Sequence, residues 1–242
     1  MNATAAKKVY SGDASVPLAN ISIGMKVVMA VTGASFILFI IGHLMGNMQI
    51  FIGQEQFNAY AAFLQGLGEL LWIERVLIFT FFAIHIFYGI KLYFENSGAR
   101  GVSYKKFNPS QTTYTARTMI WSGLALLAFV VFHIAHFTAH VVYPEYAHLE
   151  DALGRHDAYT MVVVGFQHAW VSILYIISMG FLAFHLSHAL PSLFQTIGLI
   201  HPNLRNKERV IGRLFALIIF LGYVSIPVAI MAGIVRLPKG GM

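Results

Sequence analysis

The 242-residue chain has no cysteine and little charge: 16 basic and 10 acidic residues, 11% of the total. Without cysteine there are no disulfides, thiolate metal sites, iron–sulfur clusters or cysteine nucleophiles in this chain. Soluble domains carry about 25% charged residues. The low charge here, beside 57% hydrophobic residues, excludes a disordered chain and a conventional soluble enzyme. What survives is an all-α integral membrane protein forming a single membrane domain over 1–242. The first twenty residues, MNATAAKKVYSGDASVPLAN, lack an apolar stretch ending at a small-residue cleavage site. No cleavable signal peptide is expected, and the first apolar segment is read as a retained helix.

Spanning a bilayer takes about 20 mostly apolar residues. Five segments meet that length: 26–52, 70–94, 116–142, 162–190 and 210–235. Pro191 is expected to end or kink the fourth and Pro227 to kink the fifth. Twelve basic residues against three acids fall on the side that holds the N-terminus, and four against seven fall on the other. This bias puts the N-terminus in the cytoplasm and the C-terminus outside. The net charge of +6 reads as topology, with no nucleic-acid partner implied.

What is present, and unusual, is histidine inside the spans. An ionisable group at bilayer depth normally has a partner. His43 lies in span 1, His85 in span 2, His133 and His136 in span 3, and His185 and His188 in span 4. A lone histidine would read as a neutral ring bonded to a neighbouring helix; four consecutive spans each carrying one read differently. Span 1 has Thr32-Gly33 with His43 ten positions beyond the glycine, and span 3 repeats this as Ser122-Gly123 and His133. Spans 2 and 4 echo each other as His85-x3-Gly89 and His185-x3-Ala189. Because alternate spans run in opposite directions, His43 and His133 fall in an outer layer, His85 and His185 in an inner one, roughly 10–15 Å apart at 1.5 Å per residue. Two histidines in each of two layers of a four-helix bundle is the pattern for two bis-histidine haems b. The Glu-x-x-His pairs of a di-iron bundle are absent, and the spans hold almost no carboxylate for zinc. A haem-free transporter using histidines as a proton relay is an alternative.

The motifs VTGASFILFIIGH, HIFYGIKL, SGLALLAFVVFH and HLSHALPSLFQTIG, in that order, resemble the membrane-anchor cytochrome b of succinate:quinone oxidoreductases. The similarity is to the single-chain, five-helix, two-haem type of succinate dehydrogenases and fumarate reductases, and it covers nearly the whole chain. It implies an outer, distal haem on His43 and His133 and an inner, proximal haem on His85 and His185. It implies a flavoprotein with covalent FAD and an iron–sulfur subunit on the cytoplasmic face. Electrons would pass between that subunit and membrane quinone, with menaquinone the expected type, and no dicarboxylate chemistry would occur in this chain. His136 and His188, one turn beyond a ligand, compete with His133 and His185. The glycine spacing and the family pattern favour His133, and the resemblance, which places the ligand thirteen positions before the helix-ending glycine, here Gly198, implies His185. His136 and His188 are then read as bonding haem propionates or backbone, or as polar residues of the core. Glu69 is the candidate for proton transfer to quinone, beside its reading as an interfacial helix-start glutamate. Tyr60, Trp72 and Tyr143 read as interfacial belt residues. Some fumarate reductases of this type carry a glutamate two residues before the span-4 ligand; here Ala183 stands there, which leaves the direction of turnover open. A haem b subunit of a quinone-linked nitrate reductase, hydrogenase or formate dehydrogenase is the alternative within redox proteins.

Overall fold

The computed structural model describes residues 18–98, 114–198 and 205–238. Its helices are α1 (Leu18–Met48), α2 (Gln54–Gly66), α3 (Glu69–Gly98), α4 (Tyr114–Phe137), α5 (Ala158–Gln167), α6 (Ala169–Thr196) and α7 (Arg205–Met231). Short 3-10 turns cover Gln49–Phe51 and Pro144–His148. Among the described residues there is no strand, only one isolated bridge between Glu150 and His156. Among the described residues five helices, α1, α3, α4, α6 and α7, are long and apolar enough to cross a membrane. The chain is an all-α, multi-pass membrane protein. The spanning helices carry large apolar side chains on outward surfaces, such as Leu38, Trp121 and Ile218 at 66–72% exposure. Helices that are apolar all round belong in lipid.

The bundle is held by close helix contacts at small residues. α1 lies along α3 and α4 along α6, while α7 packs against α6 and reaches α1. A Cβ added to Gly212 of α7 would sit 2.7 Å from the Pro191 ring of α6, and one on Gly222 would sit 2.8 Å from Leu44 of α1. Pro191 lies inside a helix that runs on to Thr196, and Gly198 beyond it takes the left-handed region (φ 72°). Tyr223 of α7 donates its hydroxyl proton to the Ile40 carbonyl of α1 at 2.8 Å.

Two expected span edges are corrected. The third span stops at Phe137, short of 142. There the amides of Ala139 and Val141 turn back to the carbonyls of Ile134 and Ala135, and His140 takes a positive φ of 51°. The fourth apolar run is not one helix: α5 ends at Gln167, His168 is extended (ψ 106°), and α6 starts at Ala169. The Ser172 hydroxyl donates to the Phe166 carbonyl at 2.6 Å, and the Ser172 amide to that of His168 at 3.1 Å. These bonds satisfy backbone groups that the break exposes. Hydropathy missed the break because MVVVGFQHAWV stays apolar across it.

α2, α5 and the loop 138–157 form a cap over one end of the bundle, with Tyr159 donating to the Arg236 carbonyl at 3.0 Å. Tyr60 belongs to this cap: its ring would lie 2.7 Å from a Cβ on Gly46 of α1. Lys7, Lys8, Arg100, Lys105 and Lys106, which entered the charge bias, lie outside the described residues.

Candidate functional site

The six histidines of the spans separate into two levels of the bundle. At the level remote from the cap, α3 and α6 bring His85 and His185 together, with ring centroids 6.5 Å apart. Each ring meets a hydroxyl from the neighbouring helix. Thr32 Oγ1 lies 2.9 Å from His85 Nδ1, and Ser122 Oγ 3.1 Å from His185 Nδ1. The following glycines complete the cradle: a Cβ on Gly33 or on Gly123 would stand 3.7 Å from Cε1 of the same histidine. The Thr/Ser-Gly echo therefore serves the histidine of the adjacent helix, not the one ten residues further along its own. It also relates α1/α3 to α4/α6 as two copies of one half-site.

At the cap level, α1 and α4 bring His43 and His133 to a centroid separation of 5.8 Å. Phe39 stacks on His43 at 5.5 Å, and Tyr223 of α7 lies 6.2 Å from the same ring. Tyr175 of α6 places its hydroxyl 3.1 Å from Nδ1 of both His133 and His136. Gly33 and His43 are ten residues apart on α1, as are Gly123 and His133 on α4. At 1.5 Å per residue both intervals put roughly 15 Å between the levels.

His136 is not equivalent to the paired rings. It has no exposed surface, while His43, His85, His133 and His185 are partly exposed. Phe137 lies 3.9 Å from its centroid, and a Cβ on Gly165 of α5 would stand 3.3 Å from its Cε1. A ring enclosed in this way has no face to offer a bulky group. His188 lies one turn beyond His185, half-buried. Glu69 is the first residue of α3 and is exposed. The structure does not place it among the histidines. Trp72 is also exposed, with the Arg75 guanidinium 5.1 Å over its ring, while Tyr143 stacks on His168 at 4.9 Å inside the cap.

The cap is a polar clamp. Buried Asp157 caps α5 through the Thr160 amide (3.0 Å) and accepts from Asn58, Gln54 and the Thr160 hydroxyl at 2.6–2.9 Å. Burial raises its pKa, but these hydrogen bonds outweigh that and hold it below the ordinary carboxylate value. Asp151 follows the same balance: burial pushes it up, and bonds from Arg155, the Leu153 amide and Asn58 bring it down to about 2. Arg155 joins Asp151 (2.7 Å) to Glu55 of α2 (2.8 Å), and these partners hold its pKa above the usual guanidinium value. Burial, and then His156 beside it at 5.7 Å, lower the pKa of His140. Sequence reasoning passed over this network, as it did Tyr175 and Tyr223. A tyrosine in mid-span was the available signal for the last two, since its hydroxyl needs a partner there.

A metal held by two imidazoles on opposite sides, with bonds of about 2 Å, separates their centroids by roughly 6 Å. The two levels, at 5.8 and 6.5 Å, fit that span. Zinc would require three or four protein ligands. Among the described residues no group of three or more His, Cys, Asp or Glu side chains could hold a metal ion. A pair of imidazoles alone suits an iron whose four other positions come from a macrocycle. Comparison with family models, with curated proteins and with solved structures gives no match to this chain.

Proposed function

We propose that the chain is a di-haem cytochrome b that anchors a succinate:quinone oxidoreductase in the bacterial inner membrane, with its N-terminus in the cytoplasm. The observation that carries the reading is the two-level histidine arrangement: two pairs, each from two different helices, roughly 15 Å apart by helical rise, with centroid separations of 5.8 and 6.5 Å. His43 and His133 would hold the haem at the cap level, and His85 and His185 the other. Haem held by two histidines supplies one-electron transfer and leaves no open position for oxygen. The chain's own residues orient the rings. Thr32, Ser122 and Tyr175 lie at hydrogen-bond distance from Nδ1 and would leave Nε2 for iron, in the way partners of metal-bound histidines set ring orientation. Gly33 and Gly123 keep backbone close to the rings, and the apolar helices exclude water.

The order of the four motifs supports the choice of succinate:quinone oxidoreductase over the nitrate reductase, hydrogenase and formate dehydrogenase alternatives. On this reading the N-terminal face docks an iron–sulfur subunit, which in turn carries a flavoprotein with FAD, and menaquinone exchanges electrons within the bilayer. Glu69, at the start of α3, is the candidate proton donor to quinone; its exposure at a helix end supports the plainer interfacial role equally. The test is a pyridine haemochrome assay with a reduced-minus-oxidised spectrum of the purified chain. Two low-spin haems b per chain are expected. None would return the histidines to a proton relay. Co-purification of a flavoprotein and an iron–sulfur protein separates this complex from the other quinone-linked ones.

A further inference from the structure

Three of the paired rings meet a side-chain hydroxyl at Nδ1, and the protons can be counted. Thr32 donates its single hydroxyl proton to backbone, at 2.9 Å to the Val28 carbonyl and 3.3 Å to that of Met29. Ser122 donates to the Met119 carbonyl at 3.0 Å. A hydroxyl that keeps its one proton on backbone can only accept from the imidazole beside it. In that arrangement His85 and His185 carry hydrogen on Nδ1, and their Nε2 lone pairs are free.

Tyr175 is different. Its hydroxyl is 3.1 Å from two Nδ1 atoms, those of His133 and His136, and a phenol has one proton. If both rings donated, the phenolic proton would be buried without an acceptor; if both accepted, one would have no proton to receive. Leaving a buried polar group unpaired costs about 1–3 kcal/mol. The arrangement that satisfies all three atoms has one imidazole donating to the Tyr175 oxygen and the other accepting its proton. The two histidines are then opposite tautomers: one has a free Nε2 lone pair, the other an Nε2–H.

We propose that Tyr175 is a positioning residue that fixes His133 as the Nδ1–H tautomer, able to coordinate a metal, and His136 as the Nε2–H tautomer, barred from coordination. The opposition of the two tautomers follows from the hydrogen-bond count alone; which ring is which rests on the haem reading, through the pairing of His133 with His43. The enclosure of His136 bars a macrocycle from that ring, and the proton on its buried Nε2 has no partner, a cost of about 1–3 kcal/mol that coordination by His133 would have to offset.

The experiment is ¹⁵N NMR of histidine-labelled, fully reduced protein in lipid, where low-spin ferrous haem is diamagnetic. His136→Ala assigns the His136 signals. Opposite tautomers at His133 and His136 are expected in the native protein. Tyr175→Phe keeps the ring against Phe129 and Phe166, at centroid distances of 5.0 and 4.9 Å, and removes only the hydroxyl. It should change the His136 tautomer, leave His85 and His185 as they are, and raise the midpoint potential of the cap-level haem alone, since its ligand loses an acceptor for Nδ1–H. At the other level Thr32→Val should raise only the second midpoint, and Thr32→Ser should restore it. Identical tautomers at His133 and His136, or a Tyr175→Phe protein with His136 and the midpoint unmoved, would overturn the proposal. If Tyr175→Phe does not assemble, the native tautomers and the Thr32 pair decide alone. A chain without haem would defeat the haem reading, yet its NMR spectrum would still show whether the two rings are opposed.

Discussion

The two ends of the bundle hold their histidines by different means. Remote from the cap, His85 and His185 sit in matching half-sites, each with its own hydroxyl and its own glycine. At the cap end nothing is duplicated. Tyr175 is shared by His133 and an extra histidine, His136, while Tyr223 and Phe39 flank His43. A duplicated half-site needs only one helix pair, a hydroxyl followed by glycine on one helix and a histidine on the next. The cap end depends on side chains from α4, α6 and α7 meeting, with α5 closing over them. Symmetry at one end and a shared tyrosine at the other give each level its own set of sensitive residues.

The sharpest test separates ligand from neighbour at the cap end. On the proposed di-haem reading, His133→Ala should lower the haem count from two to one, while His136→Ala keeps both and shifts one midpoint, as measured by pyridine haemochrome and redox titration. The reverse result would break the assignment of the cap-level pair. The matching contrast at the other end is His185→Ala against His188→Ala.

Next comes the glycine cradle. Alanine at Gly33 or Gly123 should be tolerated, because the new Cβ would meet a ring carbon at an ordinary 3.7 Å. Leucine there has atoms beyond Cβ that must displace His85 or His185, so Gly123→Leu should deplete the haem remote from the cap and spare the other. Loss of the cap-level haem instead would break the link between the glycines and the far histidines.

The cap end carries a stability test that the other end lacks. Asp157→Ala removes the α5 cap and leaves the side-chain nitrogen of buried Asn58 with only its longer bond, 3.3 Å to Asp151. It should destabilise the cap by about 1–3 kcal/mol, seen as a lower melting temperature and faster proteolysis at the loop 138–157. Asp151 and Asp157 both have depressed folded-state pKa values, so their contribution is complete above the unfolded carboxylate pKa of about 3.9. For Asp151 it is lost as pH falls toward about 2. Cap opening detected near pH 6 would show that other groups control it. The smallest effect belongs to Glu55→Gln. That side chain is 75% exposed, and its bridge to Arg155 should be worth no more than about 1 kcal/mol.

The five spans were legible because lipid demands long apolar helices, and composition reports that demand directly. The pairing of His43 with His133 and of His85 with His185 followed from alternating span direction. The meaning of the Thr/Ser-Gly echo was not legible: spacing tied each glycine to the histidine on its own helix, and packing ties it to a histidine on the next. The break at His168 was hidden because an apolar run looks the same whether or not its backbone bonds are interrupted.

The sequence by itself determined an all-helical membrane chain and two levels of histidine, since both depend on hydropathy and on the constant rise of a helix. Only the tertiary structure decided the rest. It enclosed His136 while leaving His133 accessible, turned one tyrosine toward both rings, and built the cap from residues that looked like span and loop. Those outcomes depend on which side chains from distant helices share one small volume, and on how few protons the hydroxyls there have to give.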